Sequence, residues 1–300
     1  MQTTSKVLMV RPFIFAYNDQ TAGNNHFQQE SDDPDIATKA AAEFDALADI
    51  LLRNDVDVIV VQDTPEPWTP DSIFPNNWFS SHLTGQLVLY PMFAPNRRTE
   101  RKSEVLRVLR REMGHTKIVD LTHWEAEQEF LEGTGSMVFD RDKNTAYCCR
   151  SPRTSEKVVH DFCAKMNFDA VMFDGVDLNN NPLYHTNIMM SIGMQVAIIC
   201  LQAIKDEVQR QKVVARLQAS GKVIVDISPD QMNQFAGNML ELKNRNGNPL
   251  MVMSSTARKS LTFQQENIIG TYTRILSSDL STIEQVGGGS ARCMIAEIFA

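Results

Sequence analysis

The chain has 300 residues, 43% hydrophobic and 22% charged, with 37 acidic side chains against 29 lysines and arginines. The net charge of -8 disfavours non-specific nucleic-acid or anionic-membrane partners, and no apolar run approaches the ~20 residues of a membrane helix. The five cysteines are an odd number with no CxxC, and the six histidines lack metal-ligand spacing. The opening MQTTSKVLMVRPF has no signal-peptide layout. The expectation is a reduced cytoplasmic protein without structural metal.

In chain order, VLMV (7–10) reads as a strand, and DIATKAAAEFDALADILLR as a helix from Asp35 to Arg53 behind Asp33-Pro34. VDVIVV (56–61) and QLVLY (86–90) read as strands, then Glu100 to Met113 as a helix. Strands follow at TKIVD (116–120), SMVFD (136–140) and NTAYCC (144–149), a helix from Ser155 to Met166, and a strand at DAVMF (169–173). MQVAIIC (194–200), a helix from Leu201 to Gln218, GKVIVD (221–226), a short helix near Pro229 and LMVMS (250–254) continue the alternation. Met294 to Phe299 reads as a last buried strand. This is an α/β protein, expected as one compact domain over 1–300, with no visible internal repeat.

The joining segments carry the chemistry-bearing residues. GGGSARCM places Cys293 behind Gly287 to Gly289, where it is either a packed thiol or a nucleophile at a pocket mouth. LEGTGSM puts Glu132 before a Gly-x-Gly turn, suited to a guanidinium but equally to a solvated turn. GTGSM lacks the ending of a phosphate loop. PLYHTN offers His185 beside Tyr184 and Asn187, as a base or as a core histidine. Asn76 and Asn77 follow the turn-setting Pro75; Arg97, Arg98 and Arg101 cluster before a helix, as does Arg153. Arginine there is a carboxylate clamp or a solvated face, and Asn238 is a turn residue or a site neighbour.

Taken together and in order, DSIFPNN, APNRR, LEGTGS, PRTSE, YHTN and GGGSARCM resemble the guanidine-modifying superfamily of arginine deiminase, dimethylargininase and glycine amidinotransferase. Within it the chain resembles the branch called citrulline utilization hydrolases, and the resemblance runs from Arg11-Pro12 to the C-terminus. It implies a five-bladed pseudo-symmetric α/β propeller, the pentein, forming one amidinotransferase-like catalytic domain. It further implies Cys293 as nucleophile, His185 as general acid/base and Glu132 as substrate-binding carboxylate. Asp71 and Phe74 fall on the D-x-x-F segment, and Arg98 and Arg153 where dimethylargininases hold the substrate α-carboxylate.

The departures bear on substrate. Relatives acting on cationic guanidines often carry acids where this chain has Asn76 and Asn77, and arginine deiminases carry His-x-Asp where it has His185-Thr186-Asn187. A guanidinium only donates hydrogen bonds, whereas a ureido group also accepts one, which suits an amide. The expectation is therefore hydrolysis of a ureido or guanidino C–N bond of an arginine-like amino acid, citrulline to ornithine first, with Asn76 or Asn77 aligning the planar group. No cofactor is required by such thiolate chemistry, and homo-oligomerisation is left open. Rivals are an amidinotransferase, an arginine or methylarginine deiminase, and a binding module without chemistry. A papain-like protease has Cys before His, the reverse of the order here.

Overall fold

The computed structural model describes residues 1–114 and 117–299. Strand β1 (Lys6–Arg11) is followed by the helix Ile36–Arg53, whose buried Ala40, Phe44, Leu47, Ala48 and Leu51 recur every three or four residues. That face returns the chain so that β2 (Asp57–Gln62) pairs parallel to β1. Next come β3 (Phe79–His82), β4 (Gln86–Leu89) and β5 (Lys117–Asp120), then β6 (Met137–Asp140), β7 (Thr145–Cys149) and β8 (Asp169–Phe173). The remaining strands are β9 (Met190–Ile192), β10 (Val196–Ile199), β11 (Val223–Asp226), β12 (Leu240–Lys243), β13 (Pro249–Ser254), β14 (Arg274–Ser278) and β15 (Ala296–Glu297). Thr116, the expected start of the fifth strand, lies outside the described residues.

These strands form five sheets of three. In each, an inner strand pairs antiparallel with a middle strand, which pairs parallel with an outer strand reached through a helical crossover. The first sheet is assembled from both ends: β15 pairs antiparallel with β1 (Val7↔Glu297, Leu8↔Ala296), and Ile298 N donates to Lys6 O at 2.9 Å. This closes a ring of five ββαβ units. Middle strands such as Val196–Ile199 are buried throughout and read as continuous apolar runs, whereas outer strands such as Val223–Asp226 are partly exposed.

Several expected boundaries move for identifiable reasons. The helix expected from Leu201 starts at Glu207, where the Asp206 side chain caps the Gln209 N–H. The one expected from Glu100 starts at Ser103, because Glu100 is drawn inward onto Arg97. The strand expected over 294–299 is confined to Ala296–Glu297, since Ala291–Met294 makes a helical turn. β3, β9, β12 and β14 were not expected at all. The inner strand FSSH breaks the apolar pattern, and its Ser81 is satisfied by the end of the chain beside it: Ser81 Oγ donates to Glu297 O at 2.7 Å and accepts from Phe299 N at 2.8 Å. Among the described residues no helix is long and apolar enough to cross a membrane.

Candidate active site

Every inner strand is entered through a short buried turn, and these turns meet at the ring centre. They are Pro75–Asn77 before β3, Gly133–Ser136 before β6, Thr186–Ile188 before β9, the stretch 236–238 before β12, and Ala291–Met294 before β15. The fold thus brings Asn76 and Asn77, Glu132, His185 and Asn187, Asn238 and Cys293 from five units into one region.

Cys293 is 4% exposed, and its sulfur is met by two amides, Asn238 Nδ2 at 3.2 Å and Asn187 Nδ2 at 3.5 Å. The Asn238 orientation is chemically fixed, because its Oδ1 accepts from Arg292 N at 3.1 Å and its Nδ2 also donates to Asn187 O at 3.1 Å. Charge that develops on this sulfur during a reaction is therefore met by N–H donors already in place. Burial raises the thiols of Cys148, Cys149, Cys163 and Cys200. Gly289 lets the chain pass the Phe74 ring, which a Cβ there would meet at 2.9 Å, with Cys293 Cβ beyond at 3.3 Å.

His185 Nε2 bonds Glu132 Oε2 at 2.8 Å, and Arg153 Nη1 reaches the same oxygen at 3.4 Å. Phe93 N donates to Glu132 Oε1 at 3.0 Å. Burial alone would raise the Glu132 carboxyl, but Arg153 and the His185 hydrogen bond hold it below its ordinary value. Burial brings His185 down to about 4 against the pull of Glu132, so the resting imidazole is neutral at neutral pH. The Tyr184 ring lies 4.6 Å from the imidazole and 4.7 Å from the Arg153 guanidinium carbon, and its hydroxyl donates to Gly288 O at 2.6 Å.

The two arginines expected to clamp a carboxylate differ in placement. Arg153 is 2% exposed and already engaged by Glu132, by Thr21 O at 2.9 Å and by the Asn24 amide oxygen. Arg98 lies outside the buried cluster: it donates to Met92 O at 3.0 Å and Phe93 O at 3.2 Å, with Glu125 at 3.7 Å. Its neighbour Arg97 is the one that enters the cluster, on Glu100 at 2.8 Å, Asn77 Oδ1 at 2.8 Å and Phe74 O at 3.2 Å, with Asp71 3.8 Å away. Asn18 Nδ2 donates to Asp71 Oδ2 at 2.7 Å, while burial raises the Asp71 carboxyl. Trp78 and Phe79, which follow Asn77 directly, pack into an apolar cluster with Leu8, Val10, Leu87 and Met92.

Asn18, Thr21 and Asn24 were not anticipated; the polar run NDQTAGNNH (18–26) carries no periodicity, and only its density of short polar side chains marks it. Four buried polar atoms of the cluster have no hydrogen-bond partner among the described residues: Asp71 Oδ1, Asn76 Oδ1, Asn77 Nδ2 and Asn187 Oδ1. Such atoms are uncommon in folded proteins; here three come from the segment before β3 and one from the turn before β9, groups that a polar ligand could satisfy.

Gly135 marks how tightly this region is assembled. A Cβ there would lie 2.5 Å from Asn77 Nδ2 and 2.7 Å from both Nδ1 and Cε1 of His185. Gly135→Ala is expected to displace the amide or the ring and to lower kcat/KM by about 100-fold, because small misplacements of reacting groups carry penalties of that order. Steady-state kinetics beside a thermal melt will separate this from unfolding; unchanged kcat/KM would place neither group in the reaction.

Residues 11–300 match a family model described as N,N dimethylarginine dimethylhydrolase, eukaryotic. No curated protein matches the chain. Among solved structures, the substrate-bound N-terminal domain of ArgZ, an arginine dihydrolase from the ornithine–ammonia cycle in cyanobacteria, aligns with a TM-score of 0.72 and 16% identity, covering 98% of this chain and 99% of that one. AgrE in complex with L-arginine gives 0.73 and 16%, covering 97% of this chain and 40% of that one. DDAH from Pseudomonas aeruginosa, complexed with citrulline, gives 0.67 and 15%, covering 99% of this chain and 100% of that one. The chain spans 39% of a longer ArgZ chain. These structural likenesses establish the architecture, the five-bladed α/β propeller that the sequence motifs implied.

Proposed function

The chain belongs to the N,N-dimethylarginine dimethylhydrolase family of the guanidine-modifying pentein superfamily, and from that premise we propose that it hydrolyses the terminal ureido group of an arginine-like amino acid, L-citrulline ahead of L-arginine. The family makes it a hydrolase of carbon–nitrogen bonds other than peptide bonds. The observation that carries the finer reading is a buried sulfur under two amide donors, in the same cluster as a neutral imidazole paired with a carboxylate.

In this reading the thiol of Cys293 loses its proton as the sulfur attacks the ureido carbon, and the Asn187 and Asn238 amides stabilise the developing thiolate. His185, neutral at rest, takes up that proton and returns it to the leaving ornithine nitrogen, so one imidazole serves as base and then as acid. Collapse of the tetrahedral adduct breaks the carbon–nitrogen bond to ornithine and leaves a thiocarbamate on Cys293. His185 then activates water, whose attack releases the sulfur and a carbamate that breaks down to carbon dioxide and ammonia. The sum is citrulline plus water to ornithine, carbon dioxide and ammonia. Glu132 keeps the imidazole oriented and stabilises its charged form. Arg153, with one N–H left beyond its existing partners, is the candidate for the substrate carboxylate.

The test is product analysis of the purified protein with L-citrulline, L-arginine and methylated arginine in parallel, using Cys293→Ala as the blank. Cys293-dependent ornithine from citrulline is the expected result. Citrulline formed from arginine or from methylated arginine would keep the cysteine chemistry but make the protein a deiminase, the reading favoured by the family match itself. A product that appears only with added glycine would identify an amidinotransferase.

A further inference from the structure

The amides of Asn76 and Asn77 look interchangeable in the sequence, but their surroundings fix them in opposite senses. Arg97 Nη1 lies 2.8 Å from the Asn77 side chain, and a guanidinium can only donate, so the atom facing it is the amide oxygen. What Asn77 leaves free is Nδ2, a buried donor without a partner among the described residues. Asn76 is the mirror case. Thr134 commits its hydroxyl proton to Asn76 O at 3.2 Å, so the same hydroxyl must accept from the Asn76 side chain, through Nδ2 at 3.2 Å. Asn76 therefore leaves Oδ1 free, a buried acceptor.

Arg97 is itself held in place. It is 2% exposed, gripped by Glu100 through Nε at 2.8 Å and Nη2 at 3.0 Å, and anchored on Phe74 O at 3.2 Å. The bidentate pair fixes the plane of the guanidinium, and with it the orientation of the Asn77 amide. The free Asn77 Nδ2 is beside the imidazole, because both crowd the space above Gly135.

We propose that Arg97, held by Glu100, is a positioning residue that makes Asn77 a donor, so that Asn77 and Asn76 present a donor–acceptor pair matched to a ureido group and mismatched to a guanidinium. A ureido group has a carbonyl to accept from Asn77 Nδ2 and N–H groups to donate to Asn76 Oδ1. A guanidinium has donors only and would set an N–H against the Asn77 amide hydrogens. Discrimination of this kind is strong, because the wrong ligand leaves buried polar groups facing like partners. The inference rests on the ureido reading of the site, and it adds which residues enforce that preference.

Binding is read apart from turnover, by titrating L-citrulline and L-arginine calorimetrically into Cys293→Ala protein. The ratio of the arginine to the citrulline dissociation constant is then compared with those in Asn77→Asp and Arg97→Lys on the same background. The carboxylate introduced by Asn77→Asp would still accept from Arg97 but turn an oxygen into the site, so the ratio is expected to swing toward arginine by about 100-fold. Lysine keeps the charge opposite Glu100 but cannot hold the carboxylate and the amide in one plane, so the ratio should fall by about tenfold. In the active enzyme the Arg97→Lys loss should appear in KM for citrulline and not for arginine, a split that a general loss of structure would not produce. Unchanged ratios in both folded variants would overturn the proposal, as would tighter arginine binding in the parent. Should Asn77→Asp fail to fold, Thr134→Val, which frees the Asn76 amide to turn, must lower the same ratio or the proposal fails. Failure of the ureido reading would show separately, as no Cys293-dependent ornithine from citrulline.

Discussion

In a Cys293→Ser variant, turnover is expected to fall by at least about 10⁴-fold while the protein stays folded, because losing the nucleophile of a covalent mechanism removes the reaction path itself. The substitution is nearly isosteric in a position that is 4% exposed, and a hydroxyl can still accept from Asn238 and Asn187. What it lacks is the intrinsic nucleophilicity of sulfur. The same geometry predicts a graded companion, Asn238→Ala. That variant removes one donor from the sulfur and also the acceptor for Arg292 N, so it should lower the rate by about 10²-fold, as loss of one preorganised donor does elsewhere. It should also slow iodoacetamide labelling at fixed pH, as the attacking sulfur loses one hydrogen-bond donor. Product formation and iodoacetamide labelling, measured on the same preparations, check both. Serine activity within tenfold of the parent would mean that Cys293 is a packed thiol.

How much of this was visible in the sequence depended on where each residue sits in the repeating unit. Middle strands such as VAII and crossover helices such as Glu156–Met166 follow simple apolar periods and were read to within a few residues, whereas the crossover helix Phe263–Tyr272 was not expected. The inner strands FSSH, MSI and LELK were missed, because they are only three or four residues long and bury polar side chains, Ser80 to His82, Ser191 and Glu241, that break an apolar pattern. Missing them hid the repeat. Once the units are placed together, Asn76, Asn187 and Cys293 each stand three residues before their inner strand, and Asn77 and Asn238 two before, a likeness too short to find in a linear reading. Motif order brought out Cys293, His185 and Glu132, which the fold gathers from three different units. It did not separate Arg97 from Arg98, since the phase of the four-residue turn Pro95–Arg98 decides which guanidinium goes inward. Nor did it find Asn24, whose contact with Arg153 spans most of the first half of the chain.

Removing the Glu132 carboxylate is expected to have the largest effect on stability. Glu132→Ala leaves Arg153 buried with its ion-pair partner gone, an error that typically costs about 3–5 kcal/mol. Glu132→Gln, which keeps an acceptor for Phe93 N, should cost less. Urea midpoints at neutral pH will rank the variants; equal midpoints for parent and Glu132→Ala would show that the Arg153 charge is satisfied without Glu132. The pH dependence follows from the same groups. The folded-state value of Glu132 is depressed, so its contribution is fully present above the ordinary carboxyl value of 4.5 and is lost as pH falls through the folded value. His185 adds to the loss from a higher pH: the unfolded chain takes up its proton near 6.5 and the folded chain only at about 4, so stability already declines between those limits. Activity requires the neutral imidazole, so the acid limb of kcat/KM should have its midpoint near pH 4 in the parent. Glu132→Gln takes away the partner that raises His185, so its weaker residual activity should carry an acid limb at still lower pH. A parental limb near pH 6.5 would mean that the imidazole is solvated when substrate arrives, and the cluster would then have to open before it works.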